Sequence, residues 1–445
     1  MSDRRRGAGA AADRGGRVAL VLGTSAGGVG RHVAMLAAGL ARRGHRVVVA
    51  GPPSTERTFG FAALGARFVP VPISDRPRPP DDLRAARSLR SLRGADVVHA
   101  HGLRAGALAA LALTGAGTPL VVTLHNAATA GGAVGAVYGL LERVVARRAD
   151  RILVVSPDLG ERMTLLGARH VEAAVVPAPP LPPSARPPGD IRKELGTGDR
   201  VIFLTVARLA QQKGLETLLD VAGAVRDALP DEERSRQRDQ DQDQGQGQEQ
   251  DRDQEHGQGQ GRDREAGDGN SGPVFLVAGE GPLHEELRRR IDREDLPVRL
   301  LGPRTDVADL LTVARALVVP SRWEGQPLVV QEALRAGTPV VATAVGGIPA
   351  MTGEAGLLVP YGDVAAMRDA VTELLADDGR ARELADAAAR RGRALPGEAE
   401  ALTAVLAAYA LPPGPRETRR GPGEQGRGGR CWIRRHHAGH LYWRG

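Results

Sequence analysis

Two glutamates, Glu324 and Glu332, are the residues whose type and spacing say most about chemistry. They lie eight residues apart in a segment, residues 316–343, that has the pattern of strand, loop, helix and strand. Eight helical residues rise about 12 Å, whereas the paired carboxylates of glycosidases lie roughly 5 to 9.5 Å apart. We therefore interpret the two carboxylates as anchors for separate polar parts of one extended ligand. In open α/β sheets, ligands bind at the carboxyl ends of strands and at the helix N-termini beyond them.

Two further groups of residues follow predicted strands in the second half of the chain. Arg208 comes directly after a predicted strand at 201–207, and Lys213 precedes the next helix. Two cations beside a helix N-terminus can bind a diphosphate, and a solvated surface pair is the alternative. Gly279 and Gly281 follow another apolar strand, where glycines let the backbone approach a ligand closely; a simple strand-to-helix turn is the alternative.

The first half of the chain contains a glycine-rich loop and three histidines at predicted strand ends. The loop at residues 23–31 lacks the G-x-G-x-x-G spacing, and no acidic residue follows the strand at 46–50, so we exclude a nicotinamide cofactor and interpret the loop as a flexible cleft wall. His99, His101 and His125 could form a zinc site, but neighbouring carboxylates or a fourth ligand are not evident. His125 follows a fully apolar strand and could donate a hydrogen bond to a substrate hydroxyl or to charge that develops in a transition state.

The size and composition favour two domains of a doubly wound α/β class. The chain has 445 residues, more than one core usually holds, and only 3% aromatic residues. Its single cysteine, Cys431, excludes a disulfide framework and favours the reducing cytoplasm. Much of the net charge of +7 comes from the two arginine-rich ends, while residues 231–272 carry 13 acidic residues and 6 arginines. The charge therefore gives little support for nucleic-acid binding, and an anionic ligand or a membrane surface stays open.

Neither a signal peptide nor a membrane span is expected. The first residues have no apolar run after their arginines. The longest segment without charged residues, 105–141, is interrupted at Gly117 and Pro119, which favours a helix followed by a strand. We expect a cytoplasmic protein, with peripheral association at the inner membrane face as an open possibility.

Continuous apolar strands alternate with helical segments along most of the chain, which predicts parallel sheets covered on both faces. A proline-rich break divides this alternation into two Rossmann-like domains, and a Gln/Asp/Arg/Gly tract interrupts the second domain. The predicted organisation is a disordered basic N-terminus (1–16), a first domain (17–180), a proline-rich hinge (181–199), a second domain (200–395) with a disordered insertion (231–272), a terminal helix (396–411) and a disordered basic tail (412–445).

The most informative segment, EGQPLVVQE followed by ALRAGTPVVATAVGGIP at 324–349, resembles the E-x7-E element of glycosyltransferase family 4. That family is retaining and has the GT-B fold, in which two Rossmann-like domains face a central cleft. The other similar segments, in chain order, are GGVGRHVAMLAAGLARRGHRVVV (27–49), TLHN (123–126), VARLAQQKG (206–214), AGEGPL (278–283), LGPRTDVADLL (301–311) and GLLVPYGD (356–363). The resemblance covers roughly residues 17–410.

The resemblance implies transfer of a sugar from a nucleotide-diphosphate donor, bound mainly by the second domain, to an acceptor that could be a glycolipid, a polysaccharide or a small molecule. It assigns neutralisation of the diphosphate to fixed cations, so that neither a metal nor a cofactor is needed. Gly28 would let its loop close over the diphosphate and acceptor, and Glu332 would accept hydrogen bonds from the ribose. The implied catalytic residues are His125, Arg208, Lys213 and Glu324; the implied donor-binding residues are Gly28, Gly279, Gly281, Gly325, Gln326, Pro327, Leu328 and Glu332.

Two alternatives remain from the sequence. A sugar-nucleotide epimerase of the same fold would turn over the donor without any acceptor. A non-catalytic protein would bind a sugar nucleotide without turnover, although the full set Arg208, Lys213, Glu324 and Glu332 argues against lost catalysis.

Overall fold

The computed structural model describes residues 15–25, 27–74, 78–127, 132–228 and 272–410. The predicted basic N-terminus, the predicted insertion and the predicted basic tail lie outside these ranges, apart from Gly15, Gly16 and Gly272. The chain forms two compact units. Unit 1 comprises Met1–Pro177 together with Pro396–Gly445, and unit 2 comprises Ala178–Leu395.

Within the described part of unit 1, seven parallel strands form one sheet in the order β3-β2-β1-β4-β5-β6-β7. Leu20, in the interior strand β1, pairs with Val49 on one side and with His99 on the other. The strands are β1 (Arg17–Leu22), β2 (Arg46–Gly51), β3 (Arg67–Pro70), β4 (Val97–His101), β5 (Leu120–Leu124), β6 (Arg151–Val154) and β7 (Val171–Ala173).

The strands of unit 1 form because nearly every side chain in the central ones is apolar, so that each strand can be buried on both faces. All five residues of β5 are buried, as are all five of β4, although two of these are histidines. The helices of unit 1 are α1 (Gly28–Arg42), α2 (Pro53–Phe59), α3 (Pro79–Leu89), α4 (Leu103–Ala112), α5 (Gly132–Arg148), α6 (Pro157–Leu165) and, from the C-terminal segment, α15 (Glu398–Tyr409).

Helix α15 packs against α1 within unit 1. Its buried face includes Leu402, Val405 and Tyr409. Gly39 on α1 makes room for this contact, because a Cβ at that position would lie 2.3 Å from the Leu402 side chain. The chain therefore returns to unit 1 after completing unit 2.

Unit 2 contains a second parallel sheet, with the order β10-β9-β8-β11-β12-β13 among its described strands. Phe203 and Phe275 stack in the core on one face, while Leu204 and Leu276 enter the core on the other. The strands are β8 (Ile202–Val206), β9 (Val274–Ala278), β10 (Val298–Gly302), β11 (Ala316–Val319), β12 (Val340–Thr343) and β13 (Gly356–Val359).

The helices of unit 2 cover both faces of this sheet. One of them, α7, lies within the segment predicted as a hinge, and its Ile191 and Leu195 are buried in the core of unit 2. The helices are α7 (Pro188–Leu195), α8 (Leu215–Asp227), α9 (His284–Glu294), α10 (Val307–Val313), α11 (Leu328–Ala336), α12 (Ile348–Thr352), α13 (Val364–Ala376) and α14 (Asp378–Ala394).

The predicted fold class, two parallel-sheet α/β domains, is confirmed. In each sheet the strand order reverses once, between β1 and β4 in unit 1 and between β8 and β11 in unit 2. Along the described ranges, no helix combines the length and the apolar run that crossing a bilayer requires.

Candidate functional site

The reversal of strand order in unit 2 brings two predicted residues together. Lys213 follows β8 and Glu324 follows β11, and these two strands are neighbours although 111 residues separate the side chains in sequence. Loops that leave adjacent strands in opposite directions open a crevice at the carboxyl edge of the sheet, where ligands of this class of fold bind. Lys213 Nζ donates a 2.5 Å hydrogen bond to Glu324 Oε1 in this crevice.

The Glu324 carboxylate is buried and held mainly through one of its oxygens. Ser321 Oγ also donates to Oε1, at 2.7 Å. The carbonyl of Ser321 accepts a 2.6 Å bond from Thr343 Oγ1 at the end of β12, which fixes the loop to the next strand. No described residue donates a hydrogen bond to the other oxygen, Oε2, and this oxygen is not sealed from solvent. That oxygen can therefore accept from a ligand.

Two glycines with positive φ let neighbouring backbones approach the loop of Glu324. A Cβ on Gly214 would lie 2.0 Å from the carbonyl oxygen of Pro320, and one on Gly346 would lie 1.8 Å from that of Glu324. Gly347 N donates to the same Glu324 carbonyl at 3.0 Å. Ser321, Gly214 and Gly346 were not predicted as site residues, although Ser321 lies two residues beyond the buried strand β11, which was an available signal.

Arg208 is exposed on the loop after β8. No ion pair between Arg208 and another residue in the described ranges is found. Gly279 and Gly281 pack against the backbone of the residues on either side of Arg208. A Cβ on Gly279 would lie 1.9 Å from the Ala207 carbonyl oxygen, and one on Gly281 would lie 2.4 Å from that of Leu209. These glycines position the Arg208 loop, and their direct contact with a ligand stays a prediction.

The remaining predicted donor-binding residues of unit 2 lie at the start of α11. Gly325 and Gln326 form the turn, Pro327 caps the helix, and Leu328 is its first residue. Glu332 is buried within the helix. The two glutamates are thus divided between a loop and a helix, as the spacing predicts.

Unit 1 has a cavity of about 380 Å³ at its own reversal of strand order. Residues at or just beyond the ends of β1, β4 and β5 contribute to its wall, including Thr24, His101, His125 and Asn126. Arg104 also lines it, but its guanidinium is ion-paired with Asp82 at 2.6 Å. Gly28, predicted to bind the donor, begins α1 and is half-buried.

Four buried histidines form a cluster beside this cavity. His101 Nδ1 and His125 Nε2 lie 3.2 Å apart. His99 hydrogen-bonds to Thr123 Oγ1 at 2.7 Å and to the hydroxyl of Tyr409 on α15 at 2.6 Å. His32 on α1 makes edge-on contacts with His101 and with His125, the ring centroids being 5.7 Å apart in both pairs.

Burial keeps this cluster uncharged. Desolvation, together with repulsion from His125, lowers the pKa of His99 to about 3, and desolvation lowers the pKa of His125 to about 4. The same causes hold the pKa of His32 and of His101 well below the usual value. Among the described residues, no group of three or more His, Cys, Asp or Glu side chains has an arrangement that could hold a metal ion. The arrangement is suited to hydrogen bonding by neutral imidazoles.

Sequence reasoning found His99, His101 and His125 but missed His32 and Tyr409. His32 lies on α1, and the sequence of this helix does not indicate which strand ends the His32 side chain faces. Tyr409 joins the cluster only because the C-terminal helix returns to unit 1. No local spacing could have indicated that contact.

Comparison with known proteins supports the fold and identifies the family. Residues 27–179 match the family described as "Glycosyl transferase 4-like domain", and residues 266–377 match "Glycosyl transferases group 1". The chain is 30% identical to a D-inositol 3-phosphate glycosyltransferase of Xylanimonas cellulosilytica, over 86% of this chain and 92% of that protein. It is 28% identical to a glycogen synthase of Mycobacterium tuberculosis, over 82% of this chain and 86% of that enzyme.

Solved structures are similar at lower identity. HepE of Anabaena, crystallised in complex with UDP-glucose, has a TM-score of 0.67 and 16% identity, over 88% of this chain and 99% of that one. WaaG, a glycosyltransferase involved in lipopolysaccharide biosynthesis, has a TM-score of 0.62 and 15% identity, over 88% and 99% of the two chains. The fold is therefore GT-B, and the chain belongs to the group 1 glycosyltransferases.

The ion pair of Lys213 and Glu324 should stabilise unit 2. Their side chains are 25% and 8% exposed, so removing one partner leaves a largely desolvated charge. In a double-mutant cycle of Lys213→Met and Glu324→Gln, we expect a coupling energy of about 1 to 2 kcal/mol in urea unfolding. Lys193→Met is the matched control, because Lys193 is the other lysine of the sequence and is exposed. Additive effects of the two substitutions would contradict the assigned interaction.

The histidine cluster should make unit 1 less stable in acid. The unfolded chain takes up protons near pH 6.5, whereas folded His99 does so only near pH 3, so the free energy of unfolding falls as pH drops below 6.5. Replacing His99 with Gln should reduce this slope by up to about 1.4 kcal/mol per pH unit. Urea unfolding at several pH values between 7.5 and 5.5 measures it. His170→Gln, at an exposed position in unit 1, should leave the slope unchanged.

Proposed function

We propose that the protein is a retaining, metal-independent glycosyltransferase that moves a sugar from a nucleotide-diphosphate donor to a hydroxyl-bearing acceptor in the cytoplasm. One observation carries the donor assignment: Lys213 and Glu324 meet at the reversal of the unit 2 sheet, on loops beside the exposed Arg208. The donor requires both kinds of group, because its diphosphate is anionic and its sugar presents hydroxyls. HepE, which has a similar fold, was crystallised with UDP-glucose, so that donor is a suitable first probe.

The proposed chemistry depends on stabilising the leaving group. When the bond between the sugar and the diphosphate breaks, negative charge accumulates on the departing nucleotide. Arg208 and Lys213 would neutralise this charge as fixed cations, in place of a metal ion and without a cofactor. Glu324 Oε2 would accept from a sugar hydroxyl, with Gly325 and Gln326 supplying backbone amides.

Further donor contacts would come from the start of α11 and the glycine loop. Pro327 and Leu328 would set the direction of the helix, and Glu332 would bind the ribose. Gly279 and Gly281 would act by positioning Arg208.

The acceptor would bind in the cavity of unit 1. His125 lines this cavity and belongs to the neutral histidine cluster, so it can donate a hydrogen bond to an uncharged oxygen. The ion pair between Arg104 and Asp82 leaves the cavity wall close to neutral among its described residues. The geometry therefore favours a hydroxyl-rich acceptor moiety.

We further propose that α5 brings the enzyme to the surface of a membrane. Val134, Val137 and Leu140 are 52%, 41% and 59% exposed on successive turns of α5, and Arg143 and Arg147 are exposed on the turns that follow. An apolar stripe next to arginines is suited to the interface of an anionic bilayer. Because α5 also contributes Tyr138 to the cavity wall, a lipid-linked acceptor would be presented close to its binding site.

Removing the cations should abolish transfer. We expect Arg208→Ala to weaken binding of UDP-glucose about 10- to 100-fold, because one charge-assisted contact with the diphosphate is lost. The double variant Arg208→Ala with Lys213→Ala should release almost no glucose, even to water. Calorimetry measures the binding, and a donor-hydrolysis assay measures the release.

A thermal-shift screen of nucleotide-diphosphate sugars should precede these measurements, since a donor at 100 times its dissociation constant adds about 2.7 kcal/mol of stability. Arg288→Ala, at an exposed position on α9, is the matched control and should bind the donor normally. Turnover by the double variant at the wild-type rate would refute the role of the two cations.

Binding to vesicles tests the proposed membrane surface. The protein should sediment with vesicles of phosphatidylcholine and phosphatidylglycerol, and much less with phosphatidylcholine alone. Replacing Val134, Val137 and Leu140 with Ser should weaken partitioning about tenfold or more, because three apolar side chains no longer enter the interface. Leu111→Ser, at an equally exposed position on α4, should have no effect. Equal sedimentation of the triple variant would contradict the assignment.

A further inference from the structure

His101 and His125 share one hydrogen bond between ring nitrogens, and one proton lies in it. The two ring nitrogens, His101 Nδ1 and His125 Nε2, are 3.2 Å apart, and both residues are buried. Two neutral imidazoles can make this bond in only two ways, because each carries one N–H and one lone pair. Either His101 donates through Nδ1, or His125 donates through Nε2.

The other nitrogen of His101 decides between these arrangements. His101 Nε2 is sealed from solvent and has no hydrogen-bond partner. If His125 were the donor, the proton of His101 would lie on this nitrogen as an orphaned buried N–H, which folded proteins rarely tolerate. If His101 is the donor, Nε2 carries only an unused lone pair, which is the less unfavourable state.

We propose that His101 is a positioning residue that fixes His125 in the neutral Nδ1–H tautomer, so that His125 donates a hydrogen bond from Nδ1 to an oxygen of the ligand in the unit 1 cavity. His125 Nε2 accepts the hydrogen bond from His101 Nδ1. His125 Nδ1 makes no hydrogen bond to another described residue and is not one of the sealed atoms, and His125 lines the cavity. The free nitrogen therefore carries the proton and faces the ligand.

This assignment excludes one role and supports another. An imidazole that presents N–H to the ligand cannot remove a proton from the acceptor hydroxyl; it can only donate to an oxygen. Burial holds the His125 imidazole neutral, because desolvation lowers its pKa well below the usual value. The ligand contact rests on the proposed function, whereas the tautomer does not.

Nuclear magnetic resonance of the ligand-free protein tests the tautomer directly. In ¹⁵N-histidine-labelled protein, two-bond ¹H–¹⁵N correlations distinguish a protonated ring nitrogen from one with a lone pair, and single substitutions assign each ring. We expect His125 to be protonated at Nδ1 and His101 also at Nδ1. A proton on Nε2 of His125 in the wild-type protein would overturn the proposal.

Two substitutions at position 101 test the positioning role. His101→Asn places an amide N–H near the former Nδ1 and should keep the tautomer of His125. His101→Leu removes the donor, and the His125 signals should change to those of a mixture of tautomers. An unchanged His125 spectrum in a folded His101→Leu variant would overturn the positioning role. Should the Leu variant fail to fold, the wild-type spectrum still decides the tautomer.

A matched pair at position 125 tests the direction of the ligand hydrogen bond. His125→Asn keeps a donor near Nδ1, and His125→Gln keeps one near Nε2. With UDP-glucose and the acceptor found by screening, we expect kcat of the Gln variant to fall about a hundredfold and that of the Asn variant to fall much less. A Gln variant as active as the Asn variant would contradict the assignment. A wild-type protein with the expected spectrum but no turnover of any donor would instead contradict only the proposed function.

Discussion

The reversal of strand order in each parallel sheet is the constraint on which both candidate sites depend. At β1 and β4 in unit 1, and at β8 and β11 in unit 2, adjacent strands send their chains in opposite directions, so the loops at their carboxyl ends separate. A crevice opens there because no connection crosses it. Backbone hydrogen bonding of the sheet fixes the loop ends, and the side chains that follow the strands necessarily face each other. The same backbone topology thus creates two sites in one chain.

The two crevices differ in charge: the buried groups of unit 2 are ionised, whereas those of unit 1 are neutral. In unit 2, a buried carboxylate is stabilised by an ammonium group and a hydroxyl, so charge is retained at the edge of the sheet. In unit 1, four imidazoles lie buried together, and desolvation keeps them neutral, with repulsion from neighbouring imidazoles contributing at His32, His99 and His101. A charged crevice matches an anionic ligand, whereas a neutral one matches hydroxyl groups. This contrast is the physical basis for assigning donor and acceptor to different units.

The strands and the candidate residues that directly follow them could be predicted from the sequence, because apolar runs and the residues after them are local features. The contact between Lys213 and Glu324 could not, because it depends on β8 and β11 being neighbours across 111 residues. Tyr409 was missed for a similar reason, since nothing local shows that the last helix returns to unit 1. The predicted contact of Gly279 with the ligand stays a prediction, and the structure adds that its lack of a side chain admits the Ala207 carbonyl. The residues at the ends of strands were therefore predictable, whereas their contacts with residues distant in sequence were not.

The ion pair in unit 2 also bears on how a diphosphate could enter. If the proposed donor binds, Lys213 exchanges one anionic oxygen, on Glu324, for another on the phosphate. Charge-assisted hydrogen bonds of similar strength are broken and formed, so the exchange itself costs little. Glu324 keeps its bond from Ser321 at Oε1, loses the ammonium from the same oxygen and gains a sugar hydroxyl at Oε2. A neutral donor then replaces a charged one at a buried carboxylate, and this step is favourable only if the sugar hydroxyl is well placed. The carboxylate thereby makes diphosphate binding depend on the sugar attached to it, which separates a donor from the free nucleotide.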